Sequence, residues 1–189
     1  MSRTVAVVLA GGESRRFGRD KLAADLDGRT LLATTLDSLP PELPVVVVGP
    51  PRDVGREVTL VREEPPGGGP AAGLVAGIRA ALDAGAERVV TLPGDAPAAG
   101  AGVRLLLDAL DPADLAVAVG ADGQVFPLQL ALTRTGGARF LEAAGDGAGL
   151  SPRRLLQPLA PVRVLVGAAA LRDVDVPTDL AEIGADPTA

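Results

Sequence analysis

Short apolar runs rich in valine recur along this chain, separated by stretches of helical composition, and no other feature restricts the possible folds as much. The runs are Thr4 to Ala10, Pro44 to Gly49, Val58 to Val61, Arg88 to Leu92, Leu115 to Val119 and Arg163 to Val166. A strand that is apolar on both faces must be covered on both, as in a parallel sheet sandwiched between helices. Thr30 to Leu39, Ala71 to Ala84, Ala101 to Leu110 and Gly137 to Ala144 have helical composition, and Thr30 is placed to cap the first of them. The alternation predicts a Rossmann-like, doubly wound α/β fold in three layers. Asp122-Gly123, between Leu115 to Val119 and the apolar run Val125 to Leu132, reads as a hairpin turn, so the sheet is expected to be mixed but mostly parallel.

A chain of 189 residues suffices for one domain, 1–189, that buries about 70% of its unfolded surface. The glycine-rich segments Gly67 to Pro70 and Gly145 to Gly149 read as the most mobile loops, but neither is long enough for an interdomain linker. The chain has no cysteine and no histidine. That removes disulfides, thiolate metal sites, cysteine nucleophiles and the commonest general base, leaving Asp, Glu, Lys, Arg or a metal ion for chemistry. Only seven apolar residues precede Gly11, too few for a secretion signal or a membrane span, so the expected compartment is the cytoplasm. Three phenylalanines and no Tyr or Trp leave almost nothing for base stacking, and a formal net charge of −6 disfavours a phosphate backbone. Neither nucleic acid nor membrane is expected as a partner.

Against that negative balance, Arg15, Arg16, Arg19 and Lys21 gather four positive charges just after the first apolar run, in Leu9-Ala-Gly-Gly-Glu-Ser-Arg-Arg-Phe-Gly-Arg-Asp-Lys21. Paired glycines at a strand end let backbone N–H groups approach an anion without side-chain interference, so the segment reads as a phosphate cradle. The bland alternative is a surface turn with solvated arginines. Walker A fails because Arg19, not Lys and Ser/Thr, follows Gly18, and no G-x-G-x-x-G follows the strand.

The ordered set Gly11, Gly12, Ser14, Arg15, Gly18 and Lys21 resembles the signature of the nucleotidyltransferase family that includes molybdenum cofactor guanylyltransferase. The resemblance implies a nucleotide-diphospho-sugar transferase type of fold. It also implies transfer of GMP from GTP to the phosphate of molybdopterin, with pyrophosphate released and Mg²⁺ as cofactor. GTP and molybdopterin are then the small-molecule partners, and molybdopterin-handling proteins are left open as others.

Three further segments bear on the site. In Leu92-Pro-Gly-Asp-Ala-Pro97 a single carboxylate, Asp95, leaves a strand end between two prolines and is the metal-ligand candidate, since magnesium takes few protein carboxylates plus substrate phosphates. Its alternative role is to cap the helix near Ala101 or to close the turn. Small residues in Gly69-Pro-Ala-Ala-Gly73 let backbone approach a ligand or let a helix lie close on the sheet. Asp173-Val-Asp-Val-Pro-Thr-Asp-Leu180 reads as a strand end followed by a capped final helix.

In the resembled family the Asp95 position holds magnesium, the Gly69-Pro70 to Gly73 segment lies beside purine and ribose, and the position of Asp175 lies near the metal and phosphates. Leu9, Ala10, Gly11, Gly12, Ser14, Arg15, Lys21, Gly69, Pro70, Gly73 and Asp95 are accordingly the nucleotide-binding candidates, and Asp95 and Asp175 the metal candidates. Lys21, Arg15 and Asp95 carry the catalytic expectation: Lys21 at the α-phosphate, Arg15 on the leaving pyrophosphate, Asp95 on the metal. The chain departs from the family pattern at Ala71 and Val176, and Gly123 to Leu128 lacks the Arg and His of the acceptor segment. Two alternatives stay open: another nucleotidyltransferase of the same fold using CTP or a sugar phosphate, and a non-catalytic nucleotide-binding protein.

Overall fold

A computed structural model describes residues 3–12, 17–18, 20–52, 54–111 and 113–184. The chain runs β1 (Thr4–Leu9), a 3-10 turn at Lys21–Ala23, a small hairpin of β2 (Asp25–Leu26) and β3 (Arg29–Thr30), α1 (Leu31–Asp37), β4 (Val45–Val48), β5 (Thr59–Val61), α2 (Pro70–Asp83) and β6 (Arg88–Pro93). It continues through a 3-10 turn at Ala99–Gly102, α3 (Val103–Asp108), β7 (Leu115–Val119), β8 (Val125–Thr133), α4 (Arg134–Ala144), α5 (Pro152–Leu156), β9 (Val162–Leu165), α6 (Ala168–Leu171) and α7 (Pro177–Gly184).

Seven strands form one sheet in the order β5-β4-β1-β6-β8-β7-β9. β1 lies parallel to β4 and to β6, β4 to β5 and β7 to β9, while β8 is antiparallel to both neighbours. The mixed, mostly parallel sheet expected from the sequence is therefore present, with its reversal confined to one strand. The buried valines explain the centre: Val5, Val7 and Val8 are covered on both faces, as continuous apolar strands must be. One face carries Leu32, Leu36, Val103, Leu106 and Ala170 from α1, α3 and α6. The other carries Leu74, Ile78, Phe140 and Leu155 from α2, α4 and α5, completing three layers.

Local chemistry set the boundaries. Thr30 caps α1 as expected, accepting the Ala33 N–H at 3.1 Å. Thr133 does the same for α4 through Gly136, so that helix starts three residues before its expected beginning. The helix expected over Ala101 to Leu110 is instead a 3-10 turn followed by the short α3, and within that turn Gly100 presses onto Ser38: a Cβ there would lie 2.0 Å from the Ser38 carbonyl oxygen. The hairpin at Asp27-Gly28 has no counterpart among the sequence expectations, although it uses the same Asp-Gly chemistry as Asp122-Gly123; its two-residue strands are too short to show a period.

Two irregularities shape the upper rim of the sheet. Between Val117↔Leu130 and Ala118↔Phe126, β8 bulges outward by Pro127, Leu128 and Gln129. Proline supplies no N–H there, and the freed Leu128 carbonyl accepts the Thr91 hydroxyl at 2.7 Å. The two glycine loops expected to be the most mobile are joined to each other, Gly149 N–H donating to Gly68 O at 3.0 Å. Among the described residues no helix is long and apolar enough to cross a membrane.

Candidate active site

The carboxyl ends of β1, β4, β5 and β6 open onto a cleft of about 820 Å³, where connections leave the central strand to either side. In doubly wound sheets this is where ligands bind. Leu9, Gly11, Gly12, Gly69, Pro70, Gly73 and Asp95 all line it, so candidates from Leu9 to Asp95 share one space. Gly12 has φ of +115°, a conformation that side chains disfavour, and among the described residues no neighbour stands within 4 Å of where a Cβ would be on either Gly11 or Gly12. The turn thus presents bare backbone to the cleft. Ala10 lies beneath it: fully buried, it donates its N–H to Val48 O at 2.7 Å and extends the sheet. Ser14 and Arg15 lie outside the described residues.

Opposite this turn, α2 begins at Pro70 with no side-chain cap on Gly69, whose φ is +90°. Proline at the first position has no N–H, and the following N–H groups leave a partially positive helix end beside the cleft. Close packing on the sheet is also real, since a Cβ on Gly77 would sit 2.2 Å from Val7 Cγ1 and 2.8 Å from Val48 Cγ2. At Gly73 the nearest atom, Leu9 Cδ2, would be 3.4 Å away, an ordinary contact. Gly77 therefore serves packing, while Gly73 lines the cleft.

The charged centre lies at the end of β6. Lys21 is held at the start of its 3-10 turn by Asp20, which accepts the Leu22 N–H at 3.1 Å and is itself held by Arg52 Nη1 at 3.0 Å. The Lys21 ammonium forms a direct ion pair with Asp95, donates to the Val174 carbonyl at 2.9 Å and stands 3.7 Å from Asp175 Oδ1. Asp95 caps no helix; the N-cap of the following turn is Ala98, without a side-chain bond. Val174, fully buried beside Phe17 and Leu31, donates its N–H to Asp95 O at 3.0 Å, so one residue clamps both members of the ion pair.

Asp173, absent from the sequence-derived candidates, belongs to this centre. Burial and the Asp95 carboxylate push its pKa up, Asp175 adds to the rise, and its own backbone hydrogen bond and Lys21 oppose it. Asp179 is pulled below the usual carboxylate range by the N–H groups of Val176 and Asp175, which it accepts at 2.9 and 2.7 Å. The capped final helix is thus present, whereas the strand end expected before it is not, since α6 leads into Asp173. Arg62, Glu63 and Leu128 also line the cleft. The strand-end rule that selected Asp95 reaches Arg62 and Glu63 as well, whereas the Val174 carbonyl leaves no trace in the sequence.

Hard oxygen donors from Asp95, Asp175 and Val174 converge on one cation, the Lys21 ammonium. Such a donor set suits Mg²⁺ rather than a zinc ion. Among the described residues no three or more Asp, Glu, His or Cys side chains are grouped to hold a metal alone, so an ion here needs oxygens from a ligand.

The family model for the MobA-like NTP transferase domain matches residues 6–164. The chain belongs to this family. A molybdenum cofactor guanylyltransferase of Cereibacter sphaeroides is 38% identical over 100 residues, 50% of this chain and 51% of that protein. The chain thus spans about half the length of the curated relatives it matches. A homologue of Mycobacterium tuberculosis rv0371c from Mycobacterium sp. strain JC1 superposes with a TM-score of 0.73 at 25% identity, covering 97% of this chain and 96% of that one. Molybdopterin-guanine dinucleotide biosynthesis protein A from Archaeoglobus fulgidus shares the fold with a TM-score of 0.71 at 21% identity, covering 95% and 96% of the two chains.

Proposed function

We propose that this MobA-like chain transfers GMP from GTP to the phosphate of molybdopterin and releases pyrophosphate. The observation that carries the reading is the Lys21–Asp95 pair at one side of a cleft whose opposite walls are the bare Gly11-Gly12 turn and the start of α2. The names of the relatives, matched over about half of their length, supply the guanine and molybdopterin specificity. A phosphate monoester is already anionic near neutral pH, its second pKa being about 6, so no histidine or cysteine is required to activate it. An acceptor oxygen forms its bond to the α-phosphorus while the bond to the bridging oxygen of pyrophosphate breaks. The protein's task is alignment and neutralisation of charge.

Backbone N–H groups of Gly11 and Gly12 cradle the phosphates, and Lys21 neutralises charge that develops at the α-phosphate. Arg15 is assigned to the leaving pyrophosphate on the resemblance alone. Asp95, with Asp175 beside it, would hold Mg²⁺, which when bound draws charge from the phosphate oxygens. Gly69, Pro70 and Gly73 form the wall against nucleoside. Cytoplasmic residence and the absence of nucleic-acid or membrane partners belong to the same proposal.

The test is pyrophosphate release with GTP, CTP, ATP and UTP, each with magnesium and molybdopterin, alongside thermal shifts with the same nucleotides. Ligand bound only by the native state raises stability by mass action. A GTP-selective shift with release supports the reading. Release with CTP alone moves the chain to the cytidylyl branch, and binding without release identifies a non-catalytic nucleotide-binding protein.

A further inference from the structure

Gln129 is 2% exposed, set in the β8 bulge among apolar side chains of the α3 and α6 face. Its Nε2 donates to the Ala170 carbonyl at 2.9 Å, while its Oε1 meets no donor among the described residues. A half-satisfied amide in such a place is a poor stabiliser, because the bond to Ala170 returns no more than the stranded oxygen costs. An apolar side chain of equal length would serve the core as well or better. The explanation must lie in what the bond holds.

Ala170 is in α6, and the chain passes from α6 directly into Asp173, Val174 and Asp175. α6 has four residues and no side-chain cap, so it has little stability of its own. Val174 in turn accepts from Lys21 and donates to Asp95. On the other side, the residue preceding Gln129 is Leu128, which lines the cleft, with its carbonyl fixed by Thr91. Gln129 thus ties the cleft wall to the segment that clamps the charged centre.

We infer that Gln129 is a positioning residue that sets the register of the Asp173–Asp175 segment, and through it the oxygen donors offered to a divalent cation. This rests on the proposed cation role of Asp95 and Asp175. Nothing in Gln129 touches substrate; it acts through α6 and Val174.

The test compares wild type with Gln129→Met, which keeps the length of the side chain and removes its donor. Binding of Mn²⁺ in the presence of saturating pyrophosphate, whose oxygens complete the ion's shell, is followed by electron paramagnetic resonance, thermal unfolding is measured on the same samples, and kcat and KM for GTP are read from pyrophosphate release. The expected result is a Mn²⁺ dissociation constant raised about tenfold, by the usual effect of groups that support metal ligands. Thermal stability should stay at or above that of wild type, and kcat should fall with little change in KM. Mn²⁺ affinity within twofold of wild type overturns the inference. Should Gln129→Met not fold, Gln129→Leu, which also removes the donor to the Ala170 carbonyl, is read by the same criteria. Wild type that binds Mn²⁺ but releases no pyrophosphate from any nucleotide refutes the proposed reaction and leaves this inference to be decided by the metal titration.

Discussion

Gly73 and Gly77 lie one turn apart on the sheet-facing side of α2, and alanine at each should have opposite effects on stability. At Gly77 the new methyl would stand 2.2 Å from Val7 Cγ1 and 2.8 Å from Val48 Cγ2, where carbon atoms in contact lie about 3.5–4.0 Å apart. Both valines are buried, and a valine has little rotamer freedom with which to retreat, so α2 itself must lift by about 1 Å or more. Overpacking of this kind costs about 1–3 kcal/mol, and two simultaneous overlaps put Gly77→Ala near the upper end. Alanine recovers about 1 kcal/mol of helix propensity, leaving a net loss of about 2 kcal/mol. For a chain of this size that corresponds to a melting temperature lower by about 4–8 °C.

At Gly73 the nearest atom is 3.4 Å from where the methyl would stand, so only the propensity gain remains, a rise of about 2–4 °C. The same methyl would enter the cleft wall, and the thermal shift produced by GTP should shrink. Urea and thermal unfolding of both variants, with and without GTP and magnesium, measure all four quantities. Val7→Ala combined with Gly77→Ala should recover part of the loss as a favourable coupling. Gly77→Ala as stable as wild type, or Gly73→Ala as damaging as Gly77→Ala, refutes the division of labour between the two glycines.

Lys21→Ala is expected to fold and to lose about 10²- to 10³-fold in turnover, about 3–4 kcal/mol of transition-state stabilisation, as removal of a preorganised charge-stabilising group does; unchanged kcat in the pyrophosphate assay removes it from the chemistry. Asp95→Asn should abolish magnesium dependence and turnover together, and an activity titration against Mg²⁺ that matches wild type would show the metal to be held elsewhere. Asp173→Asn should raise stability at neutral pH. Asp173 has its pKa raised on folding, so its charged form opposes the folded state above that raised value. The advantage of the variant must shrink as pH falls through that raised value and be gone below the ordinary carboxylate value of about 3.9, where the wild-type group is neutral in both states. Unfolding curves from pH 3 to 8 that run parallel for the two proteins would contradict the assignment.

Periodicity made the sheet legible because buried strands cannot hide their composition: every long strand was visible as an apolar run, and Thr30 announced its helix by cap chemistry. Contacts between distant segments were less accessible. Gly100 packs onto Ser38, 62 residues away, at the turn where the expected helix starts late, and no local pattern carries that contact. The glycine turn, Asp95 and the α2 start were legible as site components through strand-end position, and Asp175 through the resemblance. Asp173 was hidden in the same alternation as Asp175; its membership depends on how the final segment lies against Asp95, a tertiary fact. Gln129 has no signature at all, since a single glutamine inside an apolar run looks like an exposed position of an edge strand.

The hydrogen bond from Lys21 to Val174 joins residues 153 positions apart. During synthesis the glycine turn, β4 and α2 can assemble well before Val174 leaves the ribosome. The ammonium and the Asp95 carboxylate acquire their common clamp only afterwards. A chain arrested in that interval would have its glycine turn formed while Lys21 and Asp95 still lacked the backbone partner that fixes them both, so the chemistry proposed for that pair would await the Val174 segment.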